Sequence, residues 1–297
     1  MSRSRRGHDH IGALDSLSRW TVRTCRNTLL KAFRDAAPAA INPSLAALQD
    51  AYKEDSDTLS AAGSLPTLTV VAGDSVVDTL TSQYHPASRL AALVEAGALE
   101  LRSFDELQPN PVLAGASDGC VLVTAAGETD NGKSDSATEP WCRVGSDATL
   151  RDRYDALGSE IEPVRLRTPN RHAFYVALCG LCRSAVANDA VRLLDAGRDS
   201  DGPGPLDRSA ARRRVDAAGA REGALDRNLR RACADAGLGS AATFTQIKSA
   251  LVEAGLVTMD WVSQPVGRAR HRLVARGALA EASSETAVLD ALAKKSA

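Results

Sequence analysis

The tetrapeptide Gly237-Leu238-Gly239-Ser240 lies between two helical apolar patterns, and helices joined this tightly must cross as a helix-turn-helix. Before it, residues 221–236 set Leu225, Leu229, Ala232 and Cys233 on one helical face, and Gly237 supplies the stop. After it, residues 241–254 repeat the period through Phe244, Ile247 and Leu251 and end at Gly255. The apolar pattern then alternates as in a hairpin, with strands over 256–262 and 269–275 and a turn over 265–268. A helix-turn-helix followed by a hairpin predicts a winged helix.

The second helix of this unit turns its apolar stripe inward, which leaves Ala242, Thr245, Gln246 and Ser249 facing outward, with Thr243 and Lys248 on the flanks. Gln246 suits an adenine edge in a major groove, Thr245 and Ser249 suit bases or phosphates, and Lys248 suits a phosphate. No carboxylate lies between Asp235 and Glu253. From Gly255 to Ala280 the single acid is Asp260, while Arg268, Arg270, His271, Arg272 and Arg276 cluster there. Arg268 at the hairpin tip is placed to enter a minor groove or grip phosphates, and Arg270 and Arg272 alternate onto one strand face that lines a backbone. The net charge is −1, so any contact with nucleic acid must come from such local patches. The same features also suit a protein-interaction adaptor with a solvated basic hairpin.

A chain of 297 residues, 44% of them apolar, is long enough for two domains that each bury a core. Residues 1–27 read as a basic tail and the start of an N-terminal helix, 28–165 as an α/β regulatory domain, and 166–297 as the winged helix domain, mainly α. Residues 17–36 carry helix-like spacing through Val22, Leu29, Leu30 and Phe33. Strands are expected over 68–72, 99–104, 119–124 and 141–144, and helices over 45–52, 74–81 and 88–96, the last stopped by Gly97. Residues 128–139 form a surface loop. Asn170 caps a helix running through Phe174, Leu178, Leu181, Val186, Val191 and Leu194. Residues 196–205 make a connection rich in Gly and Pro, and a last helix covers 284–294.

Catalysis finds no support in the motifs. No nucleophile elbow, phosphate-binding loop or dinucleotide fingerprint follows any expected strand, and the chain is read as no enzyme and as taking no cofactor. Cys179 and Cys182 have metal or redox spacing but no second pair, so they read as buried packing. His85, before Pro86, reads as a loop residue, and Asp74 as the cap of the helix that follows Gly73. The six cysteines form no disulfide framework. No apolar run approaches the ~18 residues of a membrane span, which points to the cytoplasm.

The segments GLGSAATFTQIKSALVEAGLV (237–257), PVGRARHRL (265–273) and SRLAALVEAGALELRSFDEL (88–107) resemble the haloarchaeal TbsP family of transcriptional regulators. PTLTVVAGD (66–74) and INPS (41–44) keep the same order, so the resemblance covers about 29–280. It implies a DNA-binding regulator tied to central carbon and sugar metabolism, in one network with TrmB-type regulators. Thr243, Thr245, Gln246, Lys248, Arg268 and Arg270 inherit the DNA-contact role. The N-terminal part is also similar to half of a phospholipase D-like unit, but it lacks a His-x-Lys motif, so that hydrolase activity is not carried over.

The expectation is a two-domain factor. An α/β module senses a small-molecule effector or another regulator, and the winged helix binds double-stranded promoter DNA as a homodimer.

Overall fold

The computed structural model describes residues 19–23, 38–56, 59, 65, 67–104, 112–115, 119–122, 141–145, 149–197, 206–263 and 269–293. Contacts divide the chain into two compact units that interleave in sequence. Met1–Ile41, Leu59–Leu80 and Leu93–Arg165 form the first, and Asn42–Thr58, Thr81–Ala92 and Leu166–Ala297 the second. The expected tail over 1–15, the loop over 128–139, most of the 196–205 connection and the 265–268 turn lie outside the described residues.

From the N-terminal end, six strands and five helices follow among the described residues: β1 (Arg19–Arg23), α1 (Pro38–Ile41), α2 (Leu45–Glu54), β2 (Thr67–Ala72), α3 (Asp74–Ser82), α4 (Tyr84–Glu95), β3 (Leu99–Ser103), β4 (Val112–Ala114), β5 (Gly119–Leu122), β6 (Trp141–Gly145) and α5 (Thr149–Ser159). The sheet of the first unit has the order β3-β2-β1-β4-β5-β6. β1, β2 and β3 are parallel, with Val22 beside Val70 and Val70 beside Leu101. The other three strands add antiparallel. β2 buries Leu68, Val70, Val71 and Ala72, the near-continuous apolar run of a parallel strand covered on both faces. Tyr154 of α5 packs on Val112 and Ala114 of β4. Gly97 ends α4 at φ +70°, and Ala98 N donates to Leu93 O at 3.0 Å.

Two expectations are corrected here. Within the helix expected over 17–36, Arg19–Arg23 form strand β1, and the rest of that range lies outside the described residues. Trp20, Thr21 and Val22 are aromatic or β-branched and favour extended backbone, and neighbours on both edges, β2 and β4, supply the pairing that decides the matter. His85 belongs to the first turn of α4 and not to a loop, because proline at the start of a helix removes only a donor that had no partner there. Its Nε2 lies 3.0 Å from Leu194 O.

The second unit holds α2 together with α6 (Arg171–Leu181), α7 (Ser184–Asp195), α8 (Arg208–Arg221), α9 (Asp226–Asp235), α10 (Ala241–Glu253), β7 (Val257–Val262), β8 (Arg270–Ala275), α11 (Gly277–Glu281) and α12 (Glu285–Ala293). One core gathers Leu48, Phe174, Leu178, Val191, Val215, Leu229, Phe244, Leu251, Leu273 and Val288. Asn170 caps α6, its side chain accepting from Ala173 N at 2.7 Å. The single helix expected through Leu194 breaks at Cys182 and Arg183, where φ/ψ is −109°/−127° and −134°/155°. Both halves face the same core, so the apolar period continues across the bend. Arg214 Nη1 closes α7 by donating to Leu193 O at 2.8 Å and Ala196 O at 3.0 Å. On α2, Gln49 Nε2 donates to Asn188 Oδ1 at 3.0 Å, and Tyr175 OH donates to the same oxygen at 2.9 Å.

Candidate nucleic-acid interface

The helix expected over 221–236 starts later than that, at Asp226. α8 ends at Arg221, Gly223 turns the chain at φ +64°, and Ala224 N donates to Gly219 O at 2.8 Å before α9 begins at Asp226. The left-handed turn lets Leu225 pair antiparallel with Arg272, and Leu273 N donates to Ala224 O at 2.9 Å. β8 is therefore flanked by β7 on one edge and by this short stretch on the other.

The tight turn forms as its glycines dictate. Gly237 takes φ +82°, Leu238 N donates to Cys233 O at 2.9 Å, and the Leu238 side chain is fully buried. Arg212 Nε braces it by donating to Leu238 O at 2.7 Å. Ser240 caps α10 by accepting from Thr243 N at 3.1 Å. α10 then buries Phe244 and Leu251 and exposes Thr245, Gln246 and Ser249.

The hydroxyls on that outer face are held by their own helix. Thr245 Oγ1 donates to Ala241 O at 2.9 Å, Ser249 Oγ donates to Thr245 O at 3.0 Å, and Thr243 Oγ1 lies 2.9 Å from Ser240 Oγ. Gln246 alone of the predicted readers keeps its polar end free of hydrogen bonds among the described residues. Lys248 is a correction. Its side chain is 13% exposed, and its ammonium lies 3.0 Å from Asp226 Oδ1, so it is not presented to a phosphate.

Asp226 is the centre of a charge cluster that the sequence reading missed. Arg230 Nη2 sits 2.8 Å from Asp226 Oδ2, and Arg230 Nη1 donates to Thr245 Oγ1 at 3.3 Å. Asp216 on α8 is 1% exposed, and its Oδ2 has no partner. Burial, aided by repulsion from Asp226, pushes its carboxyl up to about 7 against the pull of Lys248 and Arg230. Asp226 and Arg230 of α9 thus hold Lys248 and Thr245 of α10, with Asp216 of α8 buried close to them, and α10 is fixed by polar contacts as well as by Phe244.

In the hairpin, Val262 pairs with Arg270, Trp261 with His271 and Asp260 with Arg272. Directly opposed residues share a face, so Arg270 and Arg272 do lie on one side, together with Asp260. The other side buries Leu273 at the base and carries Trp261 and His271 further out. Trp261 is 70% exposed, its ring 4.0 Å from that of His271. Alternation alone would have put the two together. Arg270 is exposed. Arg272 is exposed too, but its stem runs over Gly223, its Cδ 3.4 Å from the point a Cβ would occupy there, and it lines a groove of the second unit. Arg268 lies outside the described residues.

Cys179 ends up inside α6 and Cys182 in the bend, and burial raises both thiols, Cys182 to about 11. Neither is a thiolate at neutral pH. Among the described residues no group of three or more His, Cys, Asp or Glu side chains could hold a metal ion, and no helix is long and apolar enough to cross a membrane.

No curated protein and no solved structure matches the chain. Two family models do. The one described as "Transcriptional regulator TbsP-like, N-terminal" matches residues 16–169, and "Transcriptional regulator TbsP-like, C-terminal HTH domain" matches residues 176–295. With the helix-turn-helix of α9 and α10 inside the second match, the chain belongs to the family of TbsP-like transcriptional regulators.

Proposed function

We propose that this regulator binds double-stranded promoter DNA, as a homodimer on a two-fold site, through a winged helix made of α8 to α10 and the β7–β8 hairpin. α10 enters the major groove, where Gln246 reads a base and Thr243, Thr245 and Ser249 contact phosphates or base edges. Arg268 and Arg270 hold the flanking backbone, and the target genes serve carbon and sugar metabolism. The N-terminal unit contributes sensing or dimerisation. The observation that carries the reading is the outer face of α10: Gln246 is exposed and unengaged among the described residues, and no acid follows Asp235 until Glu253.

A second reading, an adaptor that meets another regulator, is favoured by Trp261 at 70% and Met259 at 37% exposure on the hairpin. Gel shifts with promoter fragments over a salt series separate the two. If the dimer makes about eight phosphate contacts, log affinity falls against log salt with a slope of about −7. The adaptor gives no retardation at any salt.

A further inference from the structure

A groove of about 1020 Å³ opens in the second unit between the α6–α7 bend, the α8–α9 turn, β8 and α11. That is the upper end of small-molecule sites, which span roughly 300 to 1,000 Å³. Leu181, Val186, Val274 and Leu279 supply an apolar wall. Two arginines reach the polar end, Arg183 from the start of α7 and Arg272 from β8.

The two guanidinium-bearing chains converge on one glycine. From the point a Cβ would occupy at Gly223, Arg272 Cδ is 3.4 Å away and Arg183 Nη2 is 3.9 Å away. The Arg183 guanidinium and the Arg272 side chain thus flank the same glycine, and both cations attract an anion that enters the groove they line. Neither arginine forms an ion pair among the described residues. Arg183 Nη2 donates to the main-chain oxygen of Glu222, and Asp260 is only the cross-strand neighbour of Arg272. Arg221, the third arginine of the groove, is taken by Asp189 at 2.8 Å. Glu222 and Asp260 also line the space, and a carboxylate is an acceptor for hydroxyl groups.

We propose that this groove binds a small organic anion bearing hydroxyl groups, with its carboxylate or phosphate held between Arg183 and Arg272 and its hydroxyls donating to Asp260 and Glu222. The bound anion ties the hairpin to the α6–α7 bend, which places an effector site in the same unit as the helix-turn-helix. The proposal does not depend on duplex binding, and its test uses no DNA.

Calorimetric titration of the full chain with gluconate, glycerol 3-phosphate and inorganic phosphate tests it. Saturable binding of gluconate or of glycerol 3-phosphate is expected, and whichever binds more tightly identifies the anionic group. Arg183→Met and Arg272→Met each weaken that binding about tenfold or more, and Arg272→Lys falls between because it keeps the charge but loses the fork. Arg270→Ala, on the same strand face but outside the groove, leaves it unchanged. Thermal melts confirm that each variant folds. Saturation by inorganic phosphate alone overturns the hydroxyl assignment. No saturable binding by any of the three, or an equal loss in Arg270→Ala, overturns the site.

Discussion

Lys248 reaches from α10 to place its ammonium 3.0 Å from Asp226 Oδ1 at the start of α9, where Arg230 already occupies the other carboxylate oxygen. This contact decides two properties of the same residue. Removing one partner of a buried pair strands the other, so Lys248→Met is expected to destabilise the fold by about 3 kcal/mol, the lower end for such pairs because Arg230 remains. Urea unfolding measures the loss. The salt slope of DNA binding should stay as it is. An unchanged urea midpoint with a shallower slope would return Lys248 to the phosphate backbone.

The buried carboxyl of Asp216, whose Oδ2 has no hydrogen-bond partner among the described residues, makes stability depend on pH. In the unfolded chain an aspartate releases its proton at about 3.9, whereas the folded chain keeps this one to about 7. Between those values the folded state binds more protons, so stability falls as pH rises, by at most about 1.4 kcal/mol per unit, and levels off above the folded value. Asp216→Asn removes this contribution. The variant's advantage over the parent chain should therefore widen from about pH 5 to pH 7. Parallel stability profiles would show that Asp216 is ionised throughout.

Gln246 projects from the middle of the exposed face of α10. Gln246→Ala is expected to cost about 1 to 3 kcal/mol at one base position and to relax the preference there, while affinity for unrelated sequences holds. Binding assays over a library of single-base operator variants read this directly. Discrimination that survives intact at every position removes Gln246 as the reader.

Arg270, exposed opposite Val262, has the opposite signature. Its replacement by Ala should weaken binding to all sequences alike and make the salt slope shallower by about 1. If a single base position responds instead, the hairpin reads sequence and does not merely grip the backbone.

Local rules made much of the second unit readable. Gly237 and Gly255 take the positive φ that stops their helices, Asn170 and Ser240 cap theirs, and the alternation from Val257 to Ala275 became a hairpin. Features set by tertiary pairing were harder to read. Arg19–Arg23 becomes a strand because β2 and β4 flank it, and no periodicity in residues 17–36 records those neighbours. The bend at Cys182 is hidden because α6 and α7 bury one continuous stripe. At the candidate interface, residue types gave the outer face of α10 but not the partner of Lys248, since Asp226 lies a helix away. Arg272 was placed correctly by face, yet the turn at Gly223 that receives it depends on how α8 ends.

Helix α2 stands early in the sequence, yet Leu48 enters the core of the second unit and Gln49 bonds Asn188 there, while Tyr84 N donates to Leu206 O at 2.7 Å. A fragment beginning at residue 166 would bare the Tyr175 and Asn188 surface and lose that strand-like anchor. Chimeras that exchange N-terminal units between relatives must therefore carry residues 42–58 and 81–92 along with the helix-turn-helix unit, or splice into the interior of a folded body.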